Sequence, residues 1–165
     1  MRRCSSSSLP GNDATLAAPR RQRTLIHTMV YLSIQTLKSA RGFTNPCQKR
    51  ELDLRDLSLD RLENLGLTLD QYDVIDISSN YIKRLENFPT LNRLECIVAH
   101  NNVINGIDSE AMSRTLPSLR ALLLTNNNIS DISEVTGLSK CKTIQHLSLL
   151  GNPVTGISDY RSIVI

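Results

Sequence analysis

From residue 119 to residue 129 the chain reads LRALLLTNNNI, with Leu119, Leu122, Leu124, Asn127 and Ile129 in a fixed frame. The same frame returns three times. YDVIDISSNYI supplies Tyr72, Ile75, Ile77, Asn80 and Ile82; LECIVAHNNVI supplies Leu94, Ile97, Ala99, Asn102 and Ile104; IQHLSLLGNPV supplies Ile144, Leu147, Leu149, Asn152 and Val154. A weaker copy, KRELDLRDLSL, has Leu52, Leu54 and Leu59 but carries Leu57 where the asparagine belongs. The five starts lie 23, 22, 25 and 25 residues apart. Self-similarity at such a period is the signature of a solenoid, in which each unit buries its apolar face only against its neighbours.

The frame is that of leucine-rich repeats, and the chemistry accounts for it. Apolar residues two apart have strand periodicity, so both point to one face while the residues between point to the other. After each strand the chain turns with no partner strand, and an asparagine amide both donates to and accepts from the main chain there. Asn80, Asn102, Asn127 and Asn152 are therefore expected to stack as a structural ladder, with Asn101 facing outward and tolerant of Ser. The expected class is α/β: a leucine-rich repeat solenoid with parallel strands on the concave face and short helical or 3-10 turns on the convex face. Ile82, Leu85, Phe88, Leu91 and Leu94, three apart, suit such turns. The longer segments DSEAMSRTLPSL and SEVTGLSKCKTI are where an added helical turn is expected. Before the first repeat, SIQTLKSARGFTNP reads as an N-terminal capping helix, with Ser33 as N-cap, Ile34, Leu37 and Ala40 on one face, and Gly42 and Asn45-Pro46 ending it.

A chain of 165 residues is read as one repeat domain at 29–165, of about five repeats and without a C-terminal cap, after a disordered or artefactual extension at 1–28. The open C-terminal end is expected to expose apolar edges. The net charge of +3 is concentrated at the start. Five arginines against Asp13 give the first 31 residues +4, and the remaining 14 basic and 15 acidic residues give −1. The repeat body is therefore no basic platform for nucleic acid. The longest apolar run falls short of the roughly 18–20 residues that span a bilayer, so no membrane partner is expected. Cys4, Cys47, Cys96 and Cys141 have neither pairing nor metal-ligand spacing and are read as free thiols. The sequon Asn128-Ile129-Ser130 sits against the ladder turn and is read as accidental.

No catalytic constellation emerges. His27, His100 and His146 are the only histidines, with no Cys or Ser motif beside them, and there is no phosphate-binding loop. No enzyme, cofactor or small-molecule substrate is expected. Asp53 and Asp76 share an outward position about 5 Å apart on adjacent strands. No companion histidine completes a metal site, so the two favour a basic residue on a protein partner.

The expected working surface is the concave sheet. Its outward positions are Glu51, Asp53 and Arg55; Val74, Asp76 and Ser78; Cys96, Val98 and His100; Ala121, Leu123 and Thr125; and His146, Ser148 and Leu150. Charge gives way to apolar side chains across the strands, which suits an amphipathic helix lying in the curve.

The phrases FTNPCQKRELDLR, ENLGLTLDQYDVIDISSNYIKRLENFPTLNRLE, LLLTNNNI and GNPVTGISDYRSIVI resemble the U2 A-prime family of spliceosomal leucine-rich repeat proteins, across roughly residues 29 to 165. MVYLSIQTLKSARGFTNP looks like the N-terminus of that family beginning at Met29. The resemblance implies a nuclear, non-catalytic scaffold of the U2 ribonucleoprotein in pre-mRNA splicing. Its concave face would hold a helix of the RNA-recognition-motif protein U2 B-double-prime, and U2 small nuclear RNA would be read mainly through that partner. Gly151 stands where a basic side chain is expected in the family. Another intracellular leucine-rich repeat adaptor, such as a phosphatase regulatory subunit, is the alternative.

Overall fold

The structure is a computed structural model that describes residues 30–164, so the expectation for residues 1–28 lies outside it. In chain order it runs β1 (Val30–Tyr31), α1 (Ile34–Ser39), β2 (Arg41–Thr44), β3 (Arg50–Asp53), β4 (Leu59–Arg61), β5 (Val74–Asp76), β6 (Arg84–Leu85), β7 (Cys96–Val98), β8 (Gly106–Ile107), α2 (Ser109–Thr115), β9 (Ala121–Leu123), α3 (Ile132–Thr136), β10 (His146–Ser148) and α4 (Tyr160–Val164). Short 3-10 turns lie at Leu65–Thr68, Gly137–Lys140 and Pro153–Gly156.

Each repeat contributes one short strand to a six-stranded sheet ordered β2-β3-β5-β7-β9-β10. The five repeat strands are parallel, and β2 closes the N-terminal edge antiparallel to β3. The inward residue of each strand is apolar, and Leu52, Ile75, Ile97 and Leu122 are no more than 2% exposed. The final apolar position of each motif closes the core from the other side of the turn, where Leu59, Ile82, Ile104, Ile129 and Val154 are fully buried. Burial is thus stacked repeat on repeat in one continuous cluster.

The ladder asparagines are 3–7% exposed and have a common direction. Asn102 accepts from the Ile82 amide at 3.1 Å and donates to the Ile77 carbonyl at 3.0 Å, both in the preceding repeat. Asn127 serves Ile104 and Ala99 in the same way, and Asn152 serves Ile129 and Leu124. Each side chain therefore completes the turn before its own. That direction explains Leu57, since the Leu57 and Leu59 amides both donate to Asn80 Oδ1, at 3.1 and 3.0 Å. The first repeat needs no asparagine because the second supplies it.

The residue before each ladder position is as constrained as the ladder itself. Asp56, Ser79, Asn101, Asn126 and Gly151 have φ of 57°, 58°, 54°, 56° and 74°. This left-handed backbone is one that Gly, Asn and Asp enter most readily, and the pairs Asn101-Asn102, Asn126-Asn127 and Gly151-Asn152 follow from it. Asn101 is exposed as expected, and its Oδ1 accepts from Asn126 Nδ2 at 2.9 Å.

Two expectations about helices need correction. Residues 82–94 form no helix: Ile82, Leu85, Phe88, Leu91 and Leu94 are all buried, but along an extended ribbon that includes β6. A three-residue period belongs to extended left-handed chain as much as to 3-10 turns, and a short repeat must cross the convex side at more than the ~2 Å per residue a 3-10 turn supplies. Helices appear where the repeats are three residues longer, as α2 and α3, each capped by an aspartate: Asp108 by way of the Ala111 amide and Asp131 by way of the Ser133 amide.

The capping helix is real but shorter than expected. Ser33 accepts from the Thr36 amide, and the helix stops at Ala40, whose ψ of 142° is extended. Gly42 does not end it; it sits in the middle of β2, where a Cβ would come within 2.8 Å of the Tyr72 hydroxyl. Leu37 and Ala40 pack against the core while Ile34 stays 51% exposed.

At the other end of the sheet, Ile144 and Leu147 are half-buried where their counterparts Leu119 and Leu122 are fully buried. They line a cavity of about 400 Å³ with Val135, Leu138 and Ile163.

Candidate partner-binding surface

The parallel register sets the expected concave residues in two rows. Glu51, Val74, Cys96, Ala121 and His146 stand side by side, and so do Asp53, Asp76, Val98, Leu123 and Ser148. A third row, Arg55, Ser78, His100, Thr125 and Leu150, follows where the strands run into their turns. There the Ser79, Asn101 and Asn126 amides reach the His100, Thr125 and Leu150 carbonyls at 2.8–3.0 Å.

The rows are unequal in exposure, and here the outward reading is corrected. Val74, Asp76 and Ser78 lie on the concave face but are only 8, 9 and 7% exposed. Arg55 reaches over from β3 to within 3.7 Å of the Asp76 carboxylate, while Asp76 accepts from the Ser78 amide and Ser78 Oγ from the His100 amide. This part of the face is occupied with its own hydrogen bonds. Toward β10 the surface opens: Leu123 and Thr125 are half-buried, His146 is exposed and Leu150 is 73% exposed.

Asp53 and Asp76 are paired in register, as expected. Their cation is supplied by the chain itself. Arg55 makes two bonds to Asp53, from Nε at 2.9 Å and Nη2 at 2.8 Å. This contact holds the Asp53 carboxyl below its usual range against the opposing effect of burial. The pair therefore leaves no uncompensated double charge for a partner's basic residue.

The thiols divide by position. Cys47 is exposed, Cys141 buried and Cys96 half-buried, and all three are free; Cys4 lies outside the described residues. Burial, with Glu51 and Asp76 nearby, pushes the Cys96 thiol up to about 11, so it stays protonated and unreactive on the concave face. Among the described residues no group of three or more His, Cys, Asp or Glu side chains gathers as a metal site would require.

Sequence reasoning missed one strand of this surface. In β2, Arg41 pairs with Asp53 and Phe43 with Glu51, so both rows continue by one residue at the N-terminal rim. The Arg41 guanidinium lies over the Phe43 ring, 5.2 Å from its centre. Because β2 is antiparallel and lies outside the repeat, no periodic signal marks it.

Relatives agree with this geometry. The protein is 39% identical over 137 residues to a probable U2 small nuclear ribonucleoprotein A' of Caenorhabditis elegans, and 42% identical over 137 residues to the U2 small nuclear ribonucleoprotein A' of Homo sapiens. Each match covers 83% of this chain, which spans about half the length of those relatives, 54% and 53%. A solved structure, the Drosophila melanogaster SNF/U2A' complex, contains a chain that superposes with a TM-score of 0.78 at 38% identity, covering 81% of this chain and 76% of that one. A leucine-rich repeat profile matches residues 29–165. Strand register, asparagine ladder and profile coincide over the same residues, and the chain belongs to the leucine-rich repeat family.

Proposed function

We propose that this protein is a nuclear, non-catalytic scaffold of the U2 small nuclear ribonucleoprotein in pre-mRNA splicing. Its concave face holds a helix of the RNA-recognition-motif protein U2 B-double-prime, and U2 small nuclear RNA is engaged mainly through that partner. The observation that carries this reading is the likeness in sequence and shape to a chain solved in a SNF/U2A' complex. The surface agrees with it: the exposed apolar end at Leu123 and Leu150 offers the anchor an amphipathic helix requires, and Arg55, Asp53 and Glu51 offer a polar end. The charge of −1 on the body after residue 31 supplies little phosphate neutralisation, so RNA should follow the protein partner.

The experiment is a binding titration against U2 B-double-prime. Leu123→Glu combined with Leu150→Glu places charge at the apolar end without touching the repeat core and should weaken binding about thirty-fold or more, since central anchors each carry about 2 kcal/mol or more. Lys83→Glu with Arg84→Glu, on the convex side, should leave it nearly unchanged. Full binding by the leucine variant, or U2 RNA recovered from nuclear extract without the protein partner, would sink this reading.

A further inference from the structure

The six-stranded sheet ends on β2, and no described strand pairs with its outer side. The phase of the β2–β3 ladder decides which backbone groups face outward. Opposed residues in this hairpin are Arg41 and Asp53, Gly42 and Leu52, Phe43 and Glu51, Thr44 and Arg50. One step further along, the Asn45 amide donates to the Lys49 carbonyl at 2.9 Å, which marks a closely bonded pair. Bonded and non-bonded pairs alternate, so Phe43 and Arg41 bond to β3, whereas Gly42 and Thr44 direct their N–H and C=O groups away from it. The opposite strand confirms the phase, because the Arg50 carbonyl, turned away from β2, accepts from the Asp73 amide at 2.8 Å. Gly42 and Thr44 are both exposed.

The surroundings of this edge are basic and concave. Lys38, Arg41 and Arg50 are exposed, and none lies within ion-pair distance of a carboxylate among the described residues. Arg41 rests over Phe43 on one face of the strand, and Arg50 rests over Tyr72, 5.6 Å from the ring centre, on the other. A cleft of about 250 Å³ runs beside the strand, lined by Gly42, Phe43, Thr44, Arg50 and Tyr72. Open edges are usually blunted, and a cation such as Arg41 discourages pairing with a second copy of the same edge, since like charges would meet. The same cations favour an acidic strand.

The geometry points to β2 as a site of strand addition: an extended acidic segment of a partner protein joins the sheet, its main chain pairing with Gly42 and Thr44. Successive side chains of that segment alternate between the two faces. A carboxylate on the concave side meets Arg41, and one on the other side meets Arg50. Main-chain pairing supplies the attachment and the two guanidinium groups supply the selectivity. The strand borders the polar end of the concave face, beside Glu51 and Asp53, and pairing on its outer side leaves the apolar anchors Leu123 and Leu150 at the other end free.

The test uses the full chain and a fluorescent acetyl-Val-Glu-Glu-Val-Glu-Glu-amide peptide, whose adjacent glutamates project to opposite faces, with acetyl-Val-Lys-Lys-Val-Lys-Lys-amide as the control. The acidic peptide should bind and the basic one should not. On binding, hydrogen exchange should slow at the Gly42 and Thr44 amides and hardly change at Arg41 and Phe43, which are already paired. Thr44→Pro deletes an outward N–H that the sheet does not use and should weaken the peptide at least tenfold; Arg41→Glu should do the same. N-methylation of alternate peptide residues should also abolish binding with the protein unaltered, which keeps the test valid if Thr44→Pro misfolds. Absence of binding, equal binding of the basic peptide, or loss only with Arg41→Glu without protection at Gly42 and Thr44 would overturn the proposal. Concentration-dependent dimerisation through β2 would assign the edge to a second copy instead, and oligouridine binding that requires Arg50 but not the Thr44 amide would assign it to nucleic acid. Retained U2 B-double-prime binding in Thr44→Pro separates this result from the fate of the scaffold reading.

Discussion

Asn101 and Asn102 are neighbours of one residue type with unrelated tasks. Asn102 is buried and bonds to Ile82, Ile77, Ala99 and His100 of the main chain, so Asn102→Leu strands several polar groups at once. Each buried unpaired group costs about 1–3 kcal/mol, and a loss of about 2–4 kcal/mol is expected in urea titration. Asn101 is present for its backbone, at φ 54°. Asn101→Gly should be close to neutral, as Gly151 at the equivalent place suggests, whereas Asn101→Val should lose about 1–2 kcal/mol because a branched side chain resists the left-handed region. Ser79 in the same conformation accords with the tolerance of Ser expected for Asn101. The ladder was legible from spacing alone because its residue type repeats. The turn residue before it was not, because Asp, Ser, Asn and Gly all satisfy one backbone requirement and no single letter recurs.

Elements are tied to one another by single side chains that no periodicity announces. The Ile107 amide of β8 donates to Glu134 Oε2 of α3 at 2.6 Å, a partly buried charge-assisted bond between the convex strand of one repeat and the helix of the next. Glu134→Ala should cost about 1.5–3 kcal/mol, the usual range for hydrogen bonds to charged groups, and should speed hydrogen exchange at Ile107 well before global unfolding. Helices α2 and α3 were readable because their repeats are longer than the others, which leaves room for an added turn; the aspartates that cap them, Asp108 and Asp131, sit at different places in their repeats and were not. The ribbon at 82–94 was misread because a three-residue spacing has two conformational solutions. Strand β2 went unseen because one antiparallel strand outside the repeat gives hydrophobic periodicity nothing to compare.

At the scale of the whole molecule, two carboxylates of the N-terminal repeats make stability depend on pH, one bonded across repeats and one within its own. Asp73 accepts from the Arg50 amide at 2.9 Å and from Arg93 at 3.0 Å, and the Arg50 amide bond leads in holding its carboxyl below the ordinary 3.8; Arg55 does the same for Asp53. Depressed carboxyls stabilise the fold above their unfolded value, and that contribution disappears as pH falls through the folded one. Stability should therefore be flat above about pH 5 and decline as pH falls below about 4. Asp53→Asn should flatten part of that decline in thermal unfolding followed against pH. The concave rows were legible in outline because register follows from the repeat, but their accessibility was not, since Arg55 covers Asp76 by a reach that spacing does not encode. The direction of the asparagine ladder also bears on how the protein comes into being. Each turn is completed by a side chain 20 to 23 residues further along. A ribosome extrudes the chain from its N-terminus, so the turn at Ile82 has been made before Asn102 is added. Every repeat waits one period for its own last bonds, and the growing tip of the nascent solenoid is always its unfinished part.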